Sequence, residues 1–366
     1  MSFTAVDYRS MARALRLAAK GAWTTHPNPR VGCVITRDCE VVGEAWHERA
    51  GLAHAEVLAL EAAGRAARGA TAYVTLEPCA HQGRTGPCAE ALARAGVNRV
   101  VAAVQDPDPR VAGQGFAYLR ESGIRVQSGL LADQAEALNR GFFKRLRQGR
   151  PWVTVKLAAS LDGRTALASG ESRWITGEAA REDVHRLRAA ASAVLTGSGT
   201  ALADDPRLNA RLDDVTRQPL RVLLDSRLRL STSSQLLGEE GGPLRVFCGE
   251  QAGDSGPLEA AGARVTRLPG ERPDAETVLR HLASEEDCNE LLVEAGPTLS
   301  GDLLSRGLVD EVVLYLAPHL IGDAGRGLFH LPGLESMDQR RPLRIRDLRR
   351  VGEDIRMTLQ PEDREH

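Results

Sequence analysis

Apolar residues recur along this chain in two alternating rhythms. Between Met11 and Lys20 they fall at helical spacing, with Met11, Leu15 and Ala18 on one face. Breakers follow in Thr24-Thr25-His26-Pro27-Asn28-Pro29, which reads as a loop. Val31–Ile35 and Glu40–Gly43 read as strands with a turn at Arg37-Asp38. The alanine- and leucine-rich run Ala53–Ala67 predicts a helix carrying His54 and Glu56 in its first turn. A strand at Ala72–Leu76, a helix at Cys88–Ala95, strands at Arg99–Val104 and Ile124–Gln127, and a basic-ended helical stretch at Ala132–Arg147 complete the first series. Such alternation predicts a layered α/β domain. Gln148-Gly149-Arg150-Pro151 interrupts the pattern and divides the chain into domains 1–148 and 149–366. Beyond it the strand runs are Trp152–Ala158, Ala193–Leu195, Leu220–Leu224, Leu244–Phe247, Glu290–Val293 and Glu311–Leu316. Helical stretches at Ala179–Ala190 and Asp274–Ala283 fall among them, so a second α/β domain is expected, with surface loops at Ser231–Gly242 and Gly249–Gly256.

Composition narrows the function. A length of 366 residues suits two domains. The 42% hydrophobic and 26% charged content is ordinary for a globular chain. A net charge of −2 and a pI near 6.5 argue against a nucleic-acid partner held by bulk electrostatics. No apolar run approaches the roughly 18 residues of a membrane span, and Met1–Tyr8 lacks a signal-peptide pattern. The expectation is a cytoplasmic protein with no membrane partner. Six cysteines are too sparse for a disulfide scaffold, and only Cys79 and Cys88 have metal-like neighbours. Cys33, inside an apolar run, reads as a small buried hydrophobe.

Those two cysteines stand in Glu77-Pro78-Cys79 and Pro87-Cys88, downstream of His54-Ala55-Glu56. One imidazole and two thiolates form a three-ligand zinc set that leaves a fourth position for water, the mark of a catalytic site. His-x-Glu followed by Pro-Cys-x-x-Cys is the signature of zinc deaminases, although here the second spacing is Cys-x8-Cys. Deamination of a ring carbon requires protons to move to a ring nitrogen and to the leaving amine, and Glu56 is placed for that work. The long step between the cysteines offers His81, Arg84 and Thr85 to a substrate. An arginine there suits a phosphate, with a solvated loop charge as the plain reading. His81 is read as a substrate residue, with a fourth ligand to a structural zinc as the alternative. Asn28, held between two prolines, is a candidate for hydrogen bonds to a ring or ribose, or a turn former; His47 and Glu44 are weaker candidates.

The second half shows no Gly-x-Gly-x-x-Gly after a strand. Two glycine-bearing turns do follow strands: Thr196-Gly197-Ser198-Gly199-Thr200 and Glu294-Ala295-Gly296-Pro297-Thr298, the latter before a helix near Leu299–Ser305. Amides at such helix starts can hold a phosphate, and plain strand-to-helix turns remain the alternative.

Taken together, Thr25-His26-Pro27-Asn28-Pro29, His54-Ala55-Glu56, Thr75-Leu76-Glu77-Pro78-Cys79, Gly83-Arg84-Thr85, Lys156-Leu157-Ala158-Ala159-Ser160-Leu161-Asp162-Gly163, Leu202-Ala203-Asp204-Asp205-Pro206 and Val293-Glu294-Ala295-Gly296-Pro297-Thr298 resemble the bifunctional deaminase/reductase family of riboflavin biosynthesis. The resemblance covers nearly the whole chain; one departure is Gly86, where the family more often has proline. It implies a cytidine-deaminase-like three-layer α/β/α N-terminal domain and a dihydrofolate-reductase-like α/β C-terminal domain. The first would deaminate 2,5-diamino-6-ribosylamino-4(3H)-pyrimidinone 5′-phosphate with zinc, through a site lined by Asn28, His54, Glu56, Cys79 and Cys88. The second would reduce the ribosyl group with NADPH. It further implies that Ala158, Trp174, Thr200, Asp204, Ser226, Gly296, Pro297, Thr298 and Leu299 contact NADPH, and that Ser172, Arg188, Leu208, Arg211 and Glu294 contact substrate. Arg188 and Arg211 suit the substrate phosphate, and Ser226-Arg227 the NADPH 2′-phosphate. Lys156 and Asp162 are pocket candidates or an internal ion pair. Pairing of the reductase domains in this family implies a homo-oligomer, at least a dimer.

Three rival readings remain at this point. A nucleic-acid deaminase leaves the second domain and the near-neutral charge without a reason. A nucleobase or nucleotide zinc deaminase with a non-catalytic C-terminal domain, and a zinc-stabilised binding protein, differ from the bifunctional reading in NADPH consumption.

Overall fold

The computed structural model describes residues 2–80, 86–109 and 111–362. The chain forms two compact units, residues 1–149 and 150–366.

In the first unit α1 (Ala5–Ala19) begins six residues before the expected Met11, because Thr4 and Asp7 form a capping box. Asp7 turns inward, where Arg99 and the Tyr73 hydroxyl bind its carboxylate, so the polar start of the helix escapes a purely apolar pattern. Strands β1 (Gly32–Arg37) and β2 (Glu40–Trp46) form an antiparallel hairpin. Then come α2 (Ala55–Ala63), β3 (Thr71–Val74), α3 (Cys88–Ala95), β4 (Arg99–Ala102), α4 (Gln114–Glu121) and β5 (Arg125–Ser128). The expected helix over 132–147 is two helices, α5 (Ala132–Leu138) and α6 (Arg140–Gln148). Asn139 breaks it: its amide accepts from the Arg30 N–H at 2.8 Å and donates to the Arg30 carbonyl at 2.9 Å.

The five-stranded sheet has the order β2-β1-β3-β4-β5. The apolar side chains of α2, α3 and α4 pack on one face and those of α1 and α5 on the other, giving three layers. Backbone contact sets the position of α2: a Cβ on Gly43 would lie 2.3 Å from the Ala59 carbonyl oxygen. Glycine there lets the helix that starts at His54 lie directly on β2.

The second unit contains β6 (Trp152–Ser160), β7 (Arg164–Ala166), α7 (Glu178–Ala190), β8 (Ala193–Gly197), α8 (Ser198–Asp204), β9 (Leu220–Leu224), β10 (Leu244–Gly249), α9 (Gly256–Ala260), β11 (Ala263–Leu268), α10 (Ala275–Glu285), β12 (Glu290–Val293), α11 (Pro297–Ser305), β13 (Glu311–Ala317), β14 (Arg326–Gly327), β15 (Leu343–Val351) and β16 (Asp354–Pro361). Its nine-stranded sheet runs β11-β10-β9-β8-β12-β6-β13-β16-β15. From β11 to β13 every pairing is parallel; β16 and β15 add an antiparallel edge. Helices cover both faces, so the central strands are continuous apolar runs, as buried parallel strands require. The hairpin of β15 and β16 lies outside the expected elements. Leu343–Val351 is exposed along nearly its whole length, so no core imposes a period on it.

Candidate active sites

Three elements deliver the zinc-type residues of the first unit. His54 is the N-cap of α2, Glu56 sits in that helix's first turn, Cys79 follows β3, and Cys88 opens α3. His54 Nδ1 lies 3.2 Å from Cys88 Sγ and 3.6 Å from Cys79 Sγ, and all three ligand atoms fall within 4.8 Å of one another. Ligands at about 2.0–2.3 Å from one tetrahedral zinc stand roughly 3.3–3.8 Å apart, so this donor set fits the metal. The Cys88 amide donates to Cys79 Sγ at 3.3 Å. Hydrogen bonding from Cys88, then from His54, holds the Cys79 thiol well below the ordinary range, while its partner Cys88 is pushed up. A thiolate is the form a metal needs.

Glu56 is buried, and its Oε2 has no hydrogen-bond partner among the described residues. Burial, and then the Cys79 sulfur, raise its carboxyl to about 7, against the influence of His54. An unpartnered buried carboxylate oxygen at the metal ligands is costly for folding alone and suits a proton carrier. Asn28 donates from Nδ2 to His47 Nε2 at 3.1 Å, and His47 Nδ1 donates to the Ala53 carbonyl at 3.2 Å. Burial lowers the His47 pKa, consistent with this neutral tautomer. The His47 ring meets His54 edge to face at 5.4 Å, so the Asn28 loop borders the ligand set. Glu44 instead pairs with Arg13 at the surface. His81, Arg84 and Thr85 lie outside the described residues.

Glu77 has a structural task that its place in the motif does not reveal. Its buried carboxylate accepts N–H groups from Asp106 (3.2 Å), Gly113 (2.9 Å) and Phe116 (3.2 Å). A Cβ on Gly115 would stand 1.9 Å from the Pro78 carbonyl oxygen. The segment after β4 therefore seats directly on Pro78-Cys79. The visible signal is an acid, Glu77, ending an otherwise apolar strand before proline.

In the second unit the NADPH candidates gather at the carboxyl ends of the parallel strands, where open α/β sheets bind ligands. Ala158 is on β6, Thr200 follows β8, Ser226 follows β9, and Gly296, Pro297, Thr298 and Leu299 follow β12. The Gly296 N–H donates to Thr200 Oγ1 at 3.2 Å, and Leu299 lies against Gly197. Gly197 and Gly296 cap α8 and α11 without a side-chain hydrogen bond, leaving first-turn amides for a phosphate, which fits a dinucleotide. Trp174 is 70% exposed, with the Arg181 guanidinium 4.8 Å from its ring. Arg173, between Ser172 and Trp174 in the chain, donates to the Asp204 carbonyl. Ser226 accepts from the Gly249 amide at 3.1 Å. The Arg229 guanidinium, three residues beyond Ser226, reaches Ser198 Oγ at 2.8 Å.

The substrate candidates form a charged group. Arg188 donates to Glu294 through Nε at 2.5 Å and Nη2 at 2.9 Å. Burial pushes the Glu294 carboxyl up, but Arg188 and Lys156 outweigh it and hold it at about 2. Lys156 is lowered by burial and points toward the Tyr315 ring, 6.0 Å away. Asp162 does not form the internal pair with it: its carboxylate accepts from Ser160 Oγ and from the Ile321 and Gly322 amides. The missing apolar cue for this group is general, since its members are polar residues on separate elements.

Comparison with known proteins follows the same division. Residues 5–104 match the cytidine and deoxycytidylate deaminase zinc-binding region, and residues 151–357 match the RibD C-terminal domain. The match to a reductase domain sets aside a non-catalytic C-terminal half. Riboflavin biosynthesis protein RibD of Escherichia coli (strain K12) is 49% identical over 96% of this chain and 99% of its own length. That of Haemophilus influenzae is 47% identical over 99% of each. Acinetobacter baumannii RibD, form 1, superposes with a TM-score of 0.92 at 44% identity, covering 98% of this chain and 99% of its own. The Thermotoga maritima diaminohydroxyphosphoribosylaminopyrimidine deaminase/5-amino-6-(5-phosphoribosylamino)uracil reductase does so with a TM-score of 0.86 at 33% identity, covering 98% and 99%. No helix among the described residues is long and apolar enough to cross a membrane. With a zinc-ligand cluster in a cytidine-deaminase-like unit and a reductase unit of the matching type, this chain belongs to the riboflavin biosynthesis protein RibD family, bifunctional enzymes that join a zinc-dependent deaminase to an NADPH-dependent reductase.

Proposed function

We propose that residues 1–148 deaminate 2,5-diamino-6-ribosylamino-4(3H)-pyrimidinone 5′-phosphate and that residues 149–366 then reduce the ribosyl group to give 5-amino-6-ribitylamino-uracil 5′-phosphate. The carrying observation is the buried, unpartnered Glu56 oxygen at the His54, Cys79 and Cys88 cluster. Those three residues hold zinc, which when bound supplies Lewis-acid activation of water. Glu56 takes a proton from the attacking water and returns protons to the ring nitrogen and the leaving amine. Asn28, His81 and Arg84 orient the phosphoribosyl pyrimidine, Arg84 through its phosphate.

NADPH, when bound, supplies the hydride. Ala158, Trp174, Thr200, Asp204, Ser226 and Gly296–Leu299 hold it across the strand ends. Ser172, Arg188, Leu208, Arg211 and Glu294 hold the sugar phosphate in line with it. The enzyme acts in the cytoplasm on a free small molecule, with no nucleic-acid partner, as a homo-oligomer of at least two chains. The exposed edge strand β15, with Ile345 56% and Leu348 59% exposed, supports self-association. Metal analysis with a coupled assay tests the reading: bound zinc, ammonia release, and NADPH oxidation that depends on the pyrimidine are expected. Ammonia release without NADPH oxidation would refute the reductase half.

A further inference from the structure

The residues around Asn209 carry an inference that rests on the reading of Arg188 and Arg211 as substrate-phosphate groups. Asn209 is 3% exposed and follows Leu208, whose φ of 51° turns the chain into this position. Its backbone carbonyl accepts from Arg188 Nη1 at 3.1 Å, and its side-chain oxygen accepts from Arg211 Nη1 at 2.7 Å. Its Nδ2 donates to the Glu240 carbonyl at 3.2 Å. One buried residue thus binds both arginines and is itself tied to a separate loop. The flanking backbone is fastened too. The Gln218 amide bonds both the N–H and the carbonyl of Ala210, each at 2.8 Å, and the Arg211 N–H donates to His185 Nδ1 at 3.3 Å.

The charges do not balance within this group. Glu294 takes two N–H groups of Arg188, whereas Arg211 forms no ion pair among the described residues. Burial, and then the charge of Arg188, work against the Arg211 cation. His185, lowered to about 4 by burial and then by the two arginines, stays neutral and serves as an acceptor. Two guanidinium groups brought to one residue, with a carboxylate for only one of them, leave an excess positive charge. A phosphate monoester is the ligand that completes it, because a guanidinium fork matches its oxygens.

We propose that Asn209 is a positioning residue for the reductase substrate: it holds Arg211 beside Arg188, so that Arg211 grips the 5′-phosphate while Arg188 stays on Glu294. Nothing in composition or pattern marks Asn209, since it acts through its neighbours rather than through chemistry of its own.

The test is NADPH oxidation by the full chain, with deaminated substrate that carries or lacks the 5′-phosphate. Asn209→Ala should raise KM for the phosphorylated substrate roughly tenfold, the effect of losing one charge-assisted hydrogen bond. KM for the dephosphorylated substrate and for NADPH should stay within about twofold. Asn209→Asp keeps an acceptor for Arg211 but adds an anion between the arginines, so it should raise KM for the phosphorylated substrate beyond the alanine variant and weaken inhibition by inorganic phosphate. Asn209→Ser, which retains a hydroxyl acceptor, should recover part of the loss. Equal effects on both substrates, or an aspartate variant no worse than alanine, would overturn the inference; the aspartate and serine variants decide it if the alanine variant does not fold. Arg211→Ala separates the two levels. If it leaves KM for the phosphorylated substrate unchanged, the assignment of the phosphate site is wrong. If it raises that KM while the Asn209 variants do not, only the role of Asn209 is wrong.

Discussion

The His54, Cys79 and Cys88 cluster and the strand-end group of the second unit are built on different plans. The first draws three side chains from the starts of two helices and the segment that follows one strand, and it holds their ligand atoms within 4.8 Å of one another. The second is spread from Ala158 to Leu299 over the ends of four parallel strands, with much of it contributed by backbone and small residues. The difference follows from the chemistry. A zinc ion accepts only a few donor types at short, fixed distances, so its site is concentrated. A dinucleotide is long and is held by amides, glycine turns and a few charges, so the proposed NADPH site is dispersed and rests on the sheet that aligns the strand ends.

The sharpest way to break this comparison is to remove the metal. Chelation should abolish ammonia release completely and leave reduction of deaminated substrate intact. A parallel fall in NADPH oxidation would show that the two regions are not independent. Glu56→Gln is next, with an expected loss of about 10²- to 10⁴-fold in deamination and unchanged zinc content and reduction. A variant that still deaminates at the native rate would remove Glu56 from proton transfer.

In the dispersed site the strongest coupling is the Arg188–Glu294 pair, whose side chains are 13% and 12% exposed. Glu294→Gln leaves Arg188 buried without its carboxylate and should destabilise the second unit by about 3–5 kcal/mol, read as a lowered melting temperature. The pair also predicts an acid limit. The folded Glu294 is held at about 2, below the ordinary carboxylate value of about 4.3. Its stabilisation is therefore present above that ordinary value and is lost as pH falls toward 2. Acid melting curves of the native and Glu294→Gln chains should converge there; parallel curves would contradict the coupling. The smallest effect is Gly115→Ala. The added Cβ meets the Pro78 carbonyl, and a strain of roughly 1–3 kcal/mol should loosen Cys79 and lower zinc retention without touching reduction. Full zinc occupancy in that variant would show that the strand end tolerates the shift.

The same contrast governs what could be read in advance. His54, Glu56, Cys79 and Cys88 stood out because thiols and imidazoles are scarce and their spacing is constrained. Glu77 lay in plain view without a role, because only the fold brings the amides of Asp106, Gly113 and Phe116 to it. Asp162 reads from the sequence as a pocket or ion-pair residue, yet besides nearby Ser160 its partners are amides more than 150 positions away in the chain. The central strands were legible as apolar runs. The edge strand β15 is not, since an exposed strand carries no burial period, and in β16 the buried positions include the polar Asp354 and Arg356, which carry no apolar signal. The break at Asn139 was equally hidden, because it depends on a hydrogen-bond partner at Arg30.

By itself the sequence determined the alternation of helices and strands, the boundary near Gly149, the candidate zinc ligands and the family. Each of these rests on local periodicity or on residue types with little chemical substitute. Tertiary structure alone decided which polar groups meet: Glu77 with the segment after β4, Arg188 with Glu294, and Arg211 with Asn209. Hydrogen bonds and ion pairs are short-ranged and directional, so their partners are settled only when the sheet has brought distant segments within about 3 Å.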